Sequence, residues 1–314
     1  MNSQTDMFTK VFEKSNFQAW LEDLDQFDDL FIDYLGDDHA SIQIEGNSTL
    51  FVDFTSFEGL FTYAPAGHPL AWQLAQSLGW STLSLVCSRP TWFRDPYVYS
   101  YFNRLVDDGT LDEFDQVIFY GAESAGYAAA AYSISYPSAQ VVLISPHASQ
   151  NPDVAIWDKR HKSARRLNFS SPFGYAPAIA QAADRVTLLY DPFVDEDAMH
   201  AALFPYQHSH HIRLRHLGTG IERMLVEMDQ FIPLIQSITD KDAAPSNIFN
   251  ILKARKTYLP YLRSLLVRCD RSKRYNLAKL VCTHTLAHYN APRFRKYLDL
   301  IEGENSNAKD SSAG

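Results

Sequence analysis

The chain has 314 residues, 46% hydrophobic and 21% charged, enough for one large core or a core with a small appendage. No apolar run approaches the roughly 20 residues that span a bilayer, and the N-terminus MNSQTDMFTK lacks a basic-then-apolar signal layout, so a cytoplasmic protein is expected. The three cysteines, Cys87, Cys269 and Cys282, show no paired spacing, and the net charge of −9 carries no nucleic-acid motif with it.

Along the chain, Asn16 to Leu35 places Phe17, Trp20, Leu21, Leu24, Phe27, Leu30, Phe31 and Leu35 at helical spacing, opposite an acidic face. Ser41–Ile44 and Leu50–Phe54 read as two strands around the turn Glu45-Gly46-Asn47-Ser48. His68–Leu78 is helix-like, and Ser81–Cys87 is the next strand. The aromatic loop Pro90-Thr91-Trp92-Phe93-Arg94-Asp95-Pro96 follows it, at the strand end where open α/β sheets bind ligands; Trp92, Phe93 and Arg94 are its substrate-binding candidates. Tyr97–Asp107 is a helix. Gln140–Ile144, Arg185–Tyr190 and His211–Leu214 are later strands, with helices at Asp195–Phe204 and Ile221–Ile235. Residues 151–180 carry charges and aromatics without a strand signal and read as a cap insertion. Their basic run Lys159, Arg160, His161, Lys162, Arg165 and Arg166 is either a solvated face or a means of orienting an anionic substrate.

Residues 240–247 form a polar linker. Beyond it, Ile248–Tyr258, Leu259–Cys269 and Arg274–Tyr289 read as basic amphipathic helices, and 301–314 reads as a disordered tail. Residues 1–60 hold 2 Lys/Arg and 13 Asp/Glu, a net of 2 − 13 = −11; residues 241–300 hold 13 and 3, a net of 13 − 3 = +10. The two ends attract one another, or are solvated faces, or the basic helices meet an anionic or protein partner.

The chemistry centres on Asp115 to Pro137. Val117-Ile118-Phe119-Tyr120 suits a buried strand, Gly121 to Gly126 a sharp turn, and the alanines of Tyr127–Tyr132 a helix. This is the layout of a nucleophile elbow. Ser124 is the candidate nucleophile between small residues Ala122 and Gly126, and the Ala125 N–H is the candidate oxyanion donor, with a second near Ser56 or Phe57. A triad then needs an acid and a base in the order Ser, Asp, His. Asp191, after Arg185–Tyr190, is the candidate acid, with Asp195 in reserve. His216 is the candidate base, although Thr219, after Gly218, stands where the histidine is common. His208 with His210, and His284 with His288, lack the carboxylate partners of a metal site, so no metal and no cofactor is expected.

The elbow layout resembles the α/β-hydrolase superfamily. Further segments, Tyr101-Phe102-Asn103-Arg104-Leu105-Val106-Asp107, Phe119-Tyr120-Gly121-Ala122, Gly126-Tyr127-Ala128-Ala129-Ala130-Ala131, Arg215-His216-Leu217-Gly218 and Asn290-Ala291-Pro292-Arg293-Phe294-Arg295-Lys296, resemble an alphaproteobacterial family often labelled phosphoadenosine phosphosulfate reductase. The residues do not support that label, because Cys282 falls inside a helix and no SGGKDS-type loop is present. The resemblance implies a mostly parallel α/β-hydrolase-like sheet with helices on both faces over residues 1–240, plus a helical appendage over 245–300. The elbow and candidate triad point to a serine hydrolase or acyltransferase acting on a small-molecule ester, thioester or amide, and the family resemblance leaves the activity open. The alternatives are a non-catalytic binding or scaffold protein on the same fold and, below both, a sulfonucleotide reductase.

Overall fold

The computed structural model describes residues 4–14, 16–63 and 66–310. The chain divides into two units, Met1–Ala243 and Ala244–Gly314. The first is built on an eight-stranded sheet in the order β1-β2-β4-β3-β5-β6-β7-β8. Its strands are β1 Leu30–Leu35, β2 His39–Ile44, β3 Asn47–Ser56, β4 Trp80–Cys87, β5 Gln116–Ala122, β6 Gln140–Ile144, β7 Arg185–Tyr190 and β8 His210–Arg213. β1 with β2 and β2 with β4 are antiparallel, and all other neighbours are parallel. This is a mostly parallel α/β sheet that opens with antiparallel strands, as the sequence suggests.

Three details differ from the sequence reading. Helix Phe17–Leu24 stops at Asp25, and Leu30–Leu35 is a strand. Leu24, Phe27, Leu30 and Leu35 are buried in both registers, so apolar spacing alone does not separate them; pairing with β2 decides the strand. The expected hairpin between β2 and β3 does not form, because β4 inserts between them and pairs with both. The helix expected over Ile221–Ile235 is two, Ile221–Glu227 and Phe231–Thr239, broken where Asp229 turns left-handed at φ 55°.

Successive strand residues face opposite sides of a sheet, which separates two cores. Leu83, Leu85, Val52, Phe54 and Phe119 pack on one side with helices Pro96–Asp107 and Glu123–Tyr132. Ile42, Ile44 and Val86 pack on the other with Trp20, Leu21, Leu60 and Trp72. Helix Glu123–Tyr132 is buried all round from Gly126 onward. That position explains its alanines, which let strands and helices approach closely from every side. Its two tyrosines are satisfied: Tyr127 Oη donates to the Phe173 carbonyl at 2.6 Å and Tyr132 Oη to the Phe93 carbonyl at 2.5 Å.

The second unit holds helices Pro245–Ile251, Leu259–Arg271, Tyr275–His288 and Pro292–Asp310, around a core of Leu262, Leu266, Ala278, Cys282 and Phe294. The last helix enters the segment whose composition suggests disorder; residues 311–314 lie outside the described residues. No helix among the described residues is long and apolar enough to cross a membrane.

Phe102 is fully buried, with its ring stacked 4.3 Å from Tyr132 and 5.9 Å from Phe54. Phe102→Ala is expected to lose about 3–5 kcal/mol, read as a lower urea midpoint at unchanged m-value.

Candidate functional site

The strand-to-helix junction forms as expected, but its register differs from the serine reading by one residue. β5 ends at Ala122 in extended backbone, and the helix begins at once with Glu123. The left-handed residue is Glu123, at φ 53°; Ser124 lies within the first helical turn. An elbow places its strained residue where the nucleophile sits, so that position belongs to Glu123. The close contacts agree. A Cβ on Gly121 would lie 2.3 Å from the Ala125 carbonyl oxygen and 2.7 Å from the Gly126 nitrogen. The residue that must lack a side chain is therefore Gly121, two before Glu123, which lies against the backbone of Ala125 and Gly126. The N–H that follows the strained residue is that of Ser124, so Ala125 is displaced from the leading oxyanion position.

The turn is held from the next strand. The His147 N–H donates to the Glu123 carbonyl at 3.0 Å, and a Cβ on Gly126 would meet Pro146 at 3.0 Å. Glu123 itself is exposed, whereas Ser124 is half-buried. Both line a cleft of about 180 Å³ at the carboxyl ends of β3 and β5. Its remaining polar groups include Asp53, Ser56, His68, Tyr120 and Glu222. Tyr120 Oη donates to Glu222 Oε1. Ser84 Oγ donates to Asp53 Oδ1 at 2.6 Å. Burial drives the Asp53 carboxyl up to about 7, with the Ser84 hydrogen bond opposing and the charge of Glu222 reinforcing. His68 donates from Nε2 to the Lys10 carbonyl at 2.7 Å and stacks on Trp72, and burial lowers its pKa.

The other expected triad members do not line this cleft. Asp191 is buried and its carboxylate is occupied by backbone: Oδ1 accepts from Phe193 N at 3.0 Å and Oδ2 from Gly218 N at 2.6 Å. It ties the loop after β7 to the loop after β8. His216, left-handed at φ 70°, stacks on Phe193 at 4.4 Å. Trp92, Phe93 and Arg94 are buried as well. Trp92 stacks on His147 at 5.2 Å, and Arg94 donates to the carbonyls of Asn168 and Pro172 at 2.6–2.9 Å. Trp92 and Arg94 fasten the 168–173 loop, Phe93 packs on Phe54, and none of the three lines the cleft, nor does any residue of the 151–180 segment.

That segment is anchored by a buried ionic knot. Asp158 accepts from Arg160 Nη2 at 2.9 Å and from His200 Nε2 at 2.9 Å, and Arg160 Nη1 reaches Asp197 at 2.6 Å. Burial would raise the Asp158 carboxyl, but the Arg160 hydrogen bonds outweigh it and hold the group well below the usual carboxylate range. His147, Asp158 and His200 bring ligand atoms within 4.8 Å of one another, as a metal site would. The hydrogen bonds argue otherwise. His200 Nδ1 accepts the Ala148 N–H at 3.1 Å, so its proton sits on Nε2, the atom facing Asp158. A cation there would have to displace that proton and compete with a guanidinium. Of the other histidine candidates, His208 and His210 are exposed, whereas those on the helix Tyr275–His288 are engaged. His284 Nε2 donates to the Lys256 carbonyl at 2.8 Å, and His288 Nδ1 donates to the His284 carbonyl at 2.9 Å. Cys282 is buried inside its helix, and burial pushes its thiol up to about 11, which leaves little thiolate for redox chemistry.

No protein-family model matches the chain, and no curated protein does. Among solved structures it is similar to the capsule O-acetyltransferase of Neisseria meningitidis serogroup A, at 10% identity over 63% of this chain and 91% of that one, with a TM-score of 0.44. It is also similar to carboxyl esterase 2 of Tuber melanosporum, at 12% identity over 73% and 87%, TM-score 0.42. A third is a putative thioesterase of Silicibacter sp. TM1040, at 16% identity over 68% and 86%, TM-score 0.43. Likenesses this remote carry no argument about activity.

The elbow register is testable. Gly121→Ala is expected to cost at least about 3 kcal/mol, since its methyl meets backbone that cannot move away. Glu123→Gly is expected to be neutral or stabilising by up to about 1 kcal/mol, since glycine takes a positive φ freely. Chemical denaturation of the two variants checks both signs; a costly Glu123→Gly would refute the strained position.

A second expectation concerns pH. The Asp53 carboxyl titrates near 7 in the fold and near the ordinary ~3.9 in an unfolded chain. Its raised folded value means the native state holds the proton more tightly, so stability is lost as pH rises from about 4 through 7. The full loss is roughly 4 kcal/mol once the carboxylate is ionised. Asp53→Asn, which keeps an acceptor for Ser84, should gain stability over the parent increasingly across that window and level off above it. Thermal midpoints from pH 4 to pH 9 check this.

Proposed function

We propose that the chain is a non-catalytic binding protein on an α/β-hydrolase-like scaffold, with the cleft beside the elbow as its ligand site. The observation that carries this reading is the left-handed backbone at Glu123, which puts a carboxylate where the scaffold presents a nucleophilic hydroxyl. A serine in that position works through a histidine base and an orienting acid. Here the loop after β8 presents Gly218-Thr219-Gly220, and the acid position, Asp191, is spent on backbone N–H groups. A carboxylate held exposed at a strained turn is instead suited to pairing with a ligand's positive charge or hydroxyl donors. Glu222 lines the same cleft and, with Glu123, favours a cationic, hydrogen-bond-donating small molecule over an anionic one.

The second reading, a hydrolase or acyltransferase with Ser124 as nucleophile, is favoured by one observation: Ser124 also lines the cleft. Fluorophosphonate labelling separates the two. The binding reading expects no labelling of the folded protein and a rise in thermal midpoint with small amines that Glu123→Gln removes. Labelling that disappears in Ser124→Ala would overturn it and establish the hydrolase.

A further inference from the structure

The helical unit holds a surface feature independent of the cleft. Helices Leu259–Arg271 and Pro292–Asp310 each pack on the helix between them, Tyr275–His288. A groove of about 280 Å³ opens on residues of the first and third helices. Its floor is apolar: Leu266 and Phe294 are buried, while Val267 and Leu300 on its flanks are 39% and 54% exposed. Its rim is basic. Arg263, Arg293 and Lys296 line it, are exposed, and form no ion pair among the described residues. The acid in the groove, Asp270, accepts a hydrogen bond from Tyr297 Oη.

The spacing of these residues sets what could fill the groove. Arg263, Leu266, Val267 and Asp270 stand at i, i+3, i+4 and i+7 on one helix face. Arg293, Lys296, Tyr297 and Leu300 repeat that pattern on the other. Each wall is therefore two turns long, about 10 Å at 1.5 Å per residue. An apolar trough of that length between two helices matches the apolar stripe of a third helix. A nucleic-acid phosphate chain would use the rim and leave Val267 and Leu300 in water. The surplus of +10 over residues 241–300 selects a negatively charged partner and speeds its encounter. We propose that this groove docks an acidic amphipathic helix of a partner protein, its apolar stripe on Leu266, Val267, Phe294 and Leu300 and its carboxylates on Arg263, Arg293 and Lys296.

The test uses the full chain and a fluorescein-labelled peptide of about 18 residues, long enough to hold a helix, with leucines at i, i+3, i+4 and i+7 and glutamates elsewhere. Fluorescence anisotropy is expected to show saturable binding that weakens as NaCl rises from about 50 to about 300 mM. Val267→Asp and Arg293→Glu, both at exposed sites, should each weaken it by about tenfold or more. Circular dichroism confirms that the variants are folded, and Leu300→Asp replaces Val267→Asp should the latter unfold. No binding of the peptide by the parent protein would overturn the proposal. So would equal binding of a peptide of the same composition with its leucines dispersed, which would reveal charge attraction alone. Binding to phosphatidylserine vesicles without binding to the peptide would overturn it in favour of a lipid surface.

Discussion

The first unit depends on one close approach, the backbone of Gly121 against that of Ala125 and Gly126. No side chain fits between them, so β5 must turn within a single residue, and that residue, Glu123, is driven to φ 53°. Everything nearby serves this turn. Pro146 fills the space above Gly126, the His147 N–H takes the Glu123 carbonyl, and β6 brings both there by pairing in parallel with β5. Non-glycine residues persist in such backbone only where the surroundings over-determine it.

What Glu123 can do follows from its type. A hydroxyl at an elbow is inert until a base removes its proton, so the chemistry lies in the constellation and not in the serine alone. A carboxylate needs no such base and loses little when the histidine and acid are absent or otherwise engaged. The engagement of Asp191 by Phe193 N and Gly218 N, the stacking of His216 on Phe193, and Thr219 in the loop after β8 are thus consistent with one another and with Glu123.

Much of this was legible in the amino-acid sequence. Strands β4 to β7 are covered on both faces and read as short apolar runs, STLSLVC, VIFY, QVVLI and RVTLLY, which is the signature of buried parallel strands. The junction after VIFY was legible too, but not its register. Ala122-Glu123-Ser124-Ala125-Gly126 has small residues around either candidate, and a search for a hydroxyl settles on Ser124. Gly121, two before Glu123, was the signal, because only glycine tolerates a carbonyl oxygen 2.3 Å from where a Cβ would be. The insertion of β4 between β2 and β3 is a long-range pairing with no local trace. Of the cleft residues, Asp53 left the clearest mark: it is the one charge in the apolar run Leu50-Phe51-Val52-Asp53-Phe54, and an acid in a buried strand points to a special site. His68 and Glu222 carry no such mark, since each sits in ordinary polar company and reaches the cleft only through the fold.

The ionic knot at Asp158 shows how hydrogen-bond direction decides what a cluster is. Two histidines and an aspartate in mutual reach would suit a divalent cation by composition. The Ala148 N–H, by donating to His200 Nδ1, assigns the ring proton to Nε2, and the Arg160 guanidinium already neutralises the carboxylate. A buried charge of this kind is costly to leave unpaired, and its partners come from separate stretches of chain: Arg160 beside it, and Asp197 and His200 from the helix after β7. The knot therefore holds the irregular 151–166 stretch in one arrangement, although that stretch has only short helical turns of its own. The Ala148 N–H on His200 Nδ1 joins this knot to the residues just before the stretch, Pro146 and His147, which pack on the elbow.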